Sequence, residues 1–229
     1  MSLEVDKSNA HGGRAAASGA PRPALIAFTR AWGRLLARTV FRFEVSGAQH
    51  VPTQGAVILA GNHSGLLDGP LVYFTSPRAP VLLAKAEIFV GPWARALGWL
   101  GQVPVHRGQP DRAALKAGLD QLARGGVLGV FPEGTRGTGQ LEQVAHGLAY
   151  LALRSGAPVV PLAVVGTADA WPKGRRLPRM RAPVKVVFGP PVTVDVEGDP
   201  RARRTVGVAA EQLRLALVDH LRTTTGESA

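Results

Sequence analysis

The chain has 229 residues, enough for one large domain with a substantial core. It has no cysteine, which excludes disulfides, thiolate metal sites and a cysteine nucleophile. Its 27 lysines and arginines against 16 acidic residues leave a formal charge of +11, which points to a phosphate-rich partner: a nucleic acid, an anionic membrane or a phosphorylated small molecule.

Residues 1–23, ending GGRAAASGAPRP, are small, polar and broken by proline, and read as a disordered leader with no secretory signal. No apolar run in the chain reaches the roughly 18 to 20 residues of a spanning helix. The next segment, ALIAFTRAWGRLLARTVF, reads as a basic amphipathic helix within residues 24–42. Arg30, Arg34, Arg38 and Arg42 recur every four residues, with Leu25, Phe28, Trp32, Leu36 and Val40 on the other side. Such a helix suits a membrane interface. It equally suits a terminal helix that packs its apolar face on the core and shows its arginines to water.

Beyond it, short apolar runs (VILAG, PVLLAK, VLGVF, PVVPLAVV, VKVVFG) alternate with helical stretches. Several runs are apolar throughout, as in strands covered on both faces. Helices are expected at 111–124, with Leu115, Leu119 and Leu122 at helical spacing, at 144–154 before a Ser155-Gly156 stop, and at 201–222. The fold class that follows is a single α/β domain over residues 43–222, a mostly parallel or mixed central sheet flanked by helices, with 223–229 as a flexible tail.

Three strand ends carry candidate chemistry. In GNHSGLLDGP, directly after VILA, His63 and Asp68 stand five apart. Five residues turn a helix by about 500 degrees, and an odd separation points strand residues to opposite sides, so neither regular element brings them together. A turn with a helix starting near Leu66 does. A carboxylate on one ring nitrogen fixes the imidazole tautomer and leaves the other nitrogen as a base. Asn62 is placed to brace the turn through its amide. In FPEGTRG, after VLGV, Glu133 and Arg136 flank Gly134 and Thr135, where glycine admits a close ligand and arginine offers a fork for phosphate. GQVPVHRG places Arg107 after another apolar run.

In order and separation these blocks resemble the glycerolipid acyltransferase family, which includes the lysophosphatidate acyltransferases. NHSGLLD is similar to its N-H-x4-D motif, VPVHRG to its second block, FPEGTRG to its third and APVVPLAVVG to its fourth, and the similarity covers about residues 43–191. The resemblance implies transfer of a fatty acyl group from acyl-CoA or an acyl carrier protein to a glycerol hydroxyl, with 1-acylglycerol 3-phosphate as the default acceptor. Glycerol 3-phosphate or another lysophospholipid is the alternative. It implies that His63 is the general base, oriented by Asp68, and that Arg107, Glu133, Gly134, Thr135 and Arg136 hold the acceptor phosphate. Lys85 matches a lysine frequent in the family and adds a positive charge there or is simply solvated. Backbone amides near Gly134 or Gly65 are candidate oxyanion donors. No cofactor or metal is implied. The pattern departs from the family at His146-Gly147, where Lys-Gly is common, and at His106.

With lipid as acceptor and product, the helix at 24–42 becomes a docking element for an anionic membrane, on the cytoplasmic face and peripheral. The stretch IFVGPWARALGWLG, with Phe89, Trp93 and Trp99, lines an acyl groove, aids docking or packs in the core, and KGRRLPRMR meets headgroups or stays solvated. The rival from another class is a basic nucleic-acid-binding domain. The few aromatics are not spaced along a basic face as stacking platforms, and no nucleic acid is expected. A hydrolase would need a G-x-S-x-G elbow, which the sequence lacks.

Overall fold

The computed structural model describes residues 21–105, 111–132 and 146–226. Among these, seven strands form one sheet in the order β1-β7-β6-β2-β5-β3-β4. The strands are β1 (Arg42–Ser46), β2 (Val57–Gly61), β3 (Pro80–Lys85), β4 (Val103–Val105), β5 (Val127–Val130), β6 (Val159–Val165) and β7 (Pro183–Phe188). Every neighbouring pair is parallel except β6 and β7, so the sheet is mixed. The helices are α1 (Pro23–Val40), α2 (Asp68–Thr75), α3 (Gly91–Trp99), α4 (Arg112–Ala123), α5 (His146–Ser155), the short α6 (Thr167–Ala170) and α7 (Arg203–Thr225).

β2 shows why the apolar runs are unbroken. Successive side chains on a strand point to opposite faces. Val57 and Leu59 pack with α1 and α2 in one core, where Ala37, Leu71 and Tyr73 also lie. Ile58 and Ala60 pack with α4, α5 and α7 in the other, against Leu122, Leu148 and Leu213. Covered on both sides, the strand has no place for a polar residue.

Several boundaries move. The expected helix at 111–124 begins one residue later, because Asp111 caps it by accepting from the Ala114 amide. α7 runs into the expected tail as far as Thr225, where Thr223, Thr224 and Thr225 bond back to earlier carbonyls and Gly226 closes it in the left-handed conformation. α1 stops at Val40, so Arg42 sits on β1 and not on the helical stripe.

The larger surprise is which way α1 faces. Arg30 Nε donates to the Tyr73 carbonyl at 2.9 Å, its NH2 group to Ser76, and Arg34 Nε to Phe74 at 3.0 Å. These carbonyls end α2, where a helix leaves acceptors unpaired and its dipole favours cations. Burial, and then Arg34, push the Arg30 guanidinium below its usual range. Burial likewise pushes the Tyr73 phenol up. Gly33 permits the approach, since a Cβ there would lie 2.5 Å from the Phe74 ring. Phe28, Trp32, Leu35 and Leu36 are left in solvent, Trp32 at 57% exposure. The helix therefore turns two of its arginines inward and much of its apolar side outward, the reverse of a terminal helix packed by its apolar face.

α3 buries none of its side chains fully and Trp93 is exposed, so the core-packed alternative does not hold for Trp93, although Leu100 just beyond the helix does pack against the first core. Trp99 instead lies under the Arg22 guanidinium, 4.4 Å from the ring centroid. No helix among the described residues is long and apolar enough to cross a membrane.

Candidate active site

Because β2, β3, β4, β5 and β6 run parallel, the chain leaves all five at one edge of the sheet. That edge is where α/β sheets bind ligands. His63 follows β2, Phe131 follows β5, Thr167 follows β6, and Lys85 closes β3 with its Cα opposite Val105 of β4. Arg107, Glu133, Gly134, Thr135 and Arg136 lie outside the described residues, as does His106.

The turn after β2 is built from its first residue. Asn62 is buried, and its side chain pairs with both backbone groups of Val164 at 2.8 Å, donating to the carbonyl and accepting from the amide. The side chain thus continues the β2–β6 ladder one residue past the end of β2, which bears out the bracing expected of it. α2 then opens at Asp68, two residues beyond the expected start.

The carboxylate of Asp68 is fully buried, and three donors hold it. His63 Nδ1–H donates to Oδ2 at 2.9 Å, the Gly65 amide donates to the same oxygen at 2.7 Å, and the Thr167 hydroxyl donates to Oδ1. A buried charge without such partners is costly. Asp68 also stands in the first turn of α2, where the exposed amides favour an anion. Thr167 spends its proton on Asp68, so the Ser64 hydroxyl 3.2 Å away is the donor to Thr167.

With Nδ1 committed, Nε2 is the imidazole nitrogen left to meet a substrate. The His63 side chain keeps 14% of its surface exposed, while Asp68 keeps none. Phe131 stacks on the ring, centroids 4.6 Å apart and planes 25° from parallel, so the first residue of FPEGTRG touches the imidazole directly. The expected pairing of His63 with Asp68 is therefore present, and the third block begins against it.

One expectation needs correcting. Of the amides near Gly65 expected as oxyanion donors, that of Gly65 itself is already spent on Asp68 Oδ2. Gly65 is glycine for a packing reason: a Cβ there would lie 2.7 Å from Thr167 Oγ1 and 2.9 Å from the Thr167 carbonyl carbon. Thr167 itself is the residue that sequence reasoning missed. Its one visible signal is position, just past the fourth block, at the end of a strand that pairs with β2.

An α/β sandwich with a histidine–aspartate pair of H-x4-D spacing at the carboxyl edge of its sheet defines the class. A sequence model described as "Acyltransferase" matches residues 42–165, and the chain belongs to that family. It is 34% identical over 177 residues to a 1-acyl-sn-glycerol-3-phosphate acyltransferase of Pseudomonas aeruginosa, covering 74% of this chain and 66% of that one. It is 33% identical over 160 residues to another so named from Limnanthes alba, covering 66% of this chain and 55% of that one. The chain therefore spans 66% and 55% of the length of these two relatives. In fold it is similar to the crystal structure of the 1-acyl-sn-glycerophosphate (LPA) acyltransferase PlsC from Thermotoga maritima, with a TM-score of 0.61 at 23% identity, covering 85% of this chain and 78% of that one.

Proposed function

We propose that the protein moves a fatty acyl group from acyl-CoA or an acyl carrier protein to the free hydroxyl of 1-acylglycerol 3-phosphate, giving phosphatidate. The observation that carries the reading is the His63–Asp68 pair, 2.9 Å apart and anchored through a fully buried carboxylate. The names of the two curated relatives support the choice of acceptor.

In this reading His63 Nε2 takes the proton of the acceptor hydroxyl as its oxygen attacks the thioester carbonyl. The tetrahedral oxyanion collapses, the carbon–sulfur bond breaks, and the leaving thiolate takes the proton back from the imidazolium. Asp68 holds the ring in the tautomer and orientation that both transfers need. No protein nucleophile takes part and no cofactor is required. Arg107, Glu133, Gly134, Thr135 and Arg136 bind the acceptor phosphate, and Lys85, on the same sheet edge, adds to the positive field. The outward apolar side of α1 rests on an anionic bilayer, the cytoplasmic leaflet being the one rich in such lipids.

Release of free thiol from acyl-CoA, followed with a panel of acceptors, tests the reading. 1-Acylglycerol 3-phosphate is expected to support release, and Arg136→Ala to raise its KM more than it lowers kcat. Release with glycerol 3-phosphate alone would move the assignment to that acceptor. Release with none would end it.

A further inference from the structure

Leu177 and Met180 stand in water at 73% and 67% exposure, on the segment between α6 and β7. That segment is tied down along its length. Trp171 Nε1 donates to the Arg175 carbonyl at 2.8 Å, and Arg175 Nε to the Leu177 carbonyl at 3.1 Å. The Arg179 amide donates to Ala170 at 2.7 Å and the Arg181 amide to Val40 at 2.6 Å. Two apolar side chains are thus held outward by a hydrogen-bonded loop. Flanking them in sequence are Lys173, Arg175, Arg176, Arg179 and Arg181, and no acidic residue occurs between Asp169 and Asp195.

We propose that residues 171–181 form a second contact with an anionic bilayer, inserting Leu177 and Met180 among the acyl chains while the flanking cations meet the headgroups. Apolar tips ringed by cations are what an anionic interface selects. The position agrees. The Arg181 amide bonds to the carbonyl of Val40, the last residue of α1, and Arg42 Nε donates to the Arg181 carbonyl at 3.0 Å. The loop is therefore fastened to the end of the helix that exposes Phe28, Trp32 and Leu36. It rests on the bilayer reading of α1 given above, and an acidic carrier protein, which would also meet the cations, explains the apolar tips less well.

Flotation of the full chain with vesicles of phosphatidylcholine, with and without phosphatidylglycerol, tests it. The pair Leu177→Gln and Met180→Gln is expected to cut binding to the anionic vesicles by about tenfold or more, from the lost burial of two partly inserted apolar side chains. Turnover of a monomeric short-chain acceptor should stay unchanged. If Phe28→Gln with Trp32→Gln abolishes flotation while the loop variant floats like wild type, α1 docks alone and the proposal falls. If wild type itself fails to float, both readings fall. A loop variant that floats normally but has a raised KM for an acyl carrier protein donor would name that carrier as the partner and overturn the proposal.

A separate observation inside the core carries a second inference. Thr167 is fully buried and donates to the Asp68 oxygen that His63 does not use, and it accepts from Ser64. We infer that Thr167 is a positioning residue for the base, resting on the assignment of His63 above. Thr167→Val is expected to lower kcat by about tenfold to a hundredfold, the range for one hydrogen bond to a charged group, with the acceptor KM little changed. Thr167→Ser is expected to restore it. Should the valine variant fail to fold, Ser64→Ala, which removes the donor to Thr167, is expected to lower kcat more modestly at unchanged KM. Wild-type kcat in Thr167→Val or in a folded Ser64→Ala, or a serine variant no better than valine, overturns the role. An active His63→Ala would instead overturn the base assignment on which it rests.

Discussion

Asn62 links the turn that carries His63 and Asp68 to the sheet, because its amide replaces the main-chain pairing that ends with β2. Asn62→Ala removes both bonds to Val164 and leaves a buried amide and carbonyl without those partners. The expected cost is about 2 to 4 kcal/mol of stability, or roughly 4 to 16 °C in the thermal midpoint for a chain of this size. Differential scanning calorimetry reads it; an unchanged midpoint would mean that the ladder does not depend on this side chain. At this scale the sequence was informative wherever the partners lie close along the chain. His63 and Asp68 are five apart, and their spacing excludes every regular element, which leaves a turn. Thr167 lies about a hundred residues away from Asp68 and has no local signal; only the parallel register of β6 on β2 brings it in. Gly65 combines both cases: its amide is taken by Asp68 three residues on, while the Thr167 that makes it a glycine is distant in sequence.

Among the elements, α1 shows how far periodicity reaches. The basic and apolar sides were visible at four-residue spacing, but the direction each faces was not. The unpaired carbonyls at the end of α2 decide that, and no property of α1 alone reveals them. Arg30→Ala is expected to cost about 2 kcal/mol and to open residues 21–41 to limited proteolysis, while Arg30→Lys, which keeps the charge without the fork, falls between. Cleavage in that region equal to wild type would contradict the anchoring role. The apolar strands were legible because burial on both faces removes polar residues from them. The short run VPV before Arg107 was legible as a strand end and is β4, whereas β1, half-exposed with the sequence RFEVS, gave too little pattern to be counted as a strand, and the four-residue α6 gave none. Their placement comes from pairing with β7 and from the site, which is tertiary information.

Over the whole molecule, the formal charge of +11 does not distinguish a nucleic acid from a membrane or a phosphorylated lipid. The arrangement of parallel strands sends the chain off one edge five times, with a buried carboxylate and a mostly covered imidazole where the exits after β2, β5 and β6 meet. If the protein works at an anionic bilayer, its vesicle binding should weaken steeply as salt rises from low to physiological concentration, because exposed charges are screened beyond about 8 Å there. Flotation that ignores salt would indicate a purely apolar attachment. The account as a whole depends on a proton being taken by His63. The measurement that meets this directly is thiol release from acyl-CoA in the presence of 1-acylglycerol 3-phosphate, by wild type and by folded His63→Gln. A loss of about a hundredfold or more in kcat is the predicted result, the lower range for removal of a general base, and turnover close to wild type would contradict it.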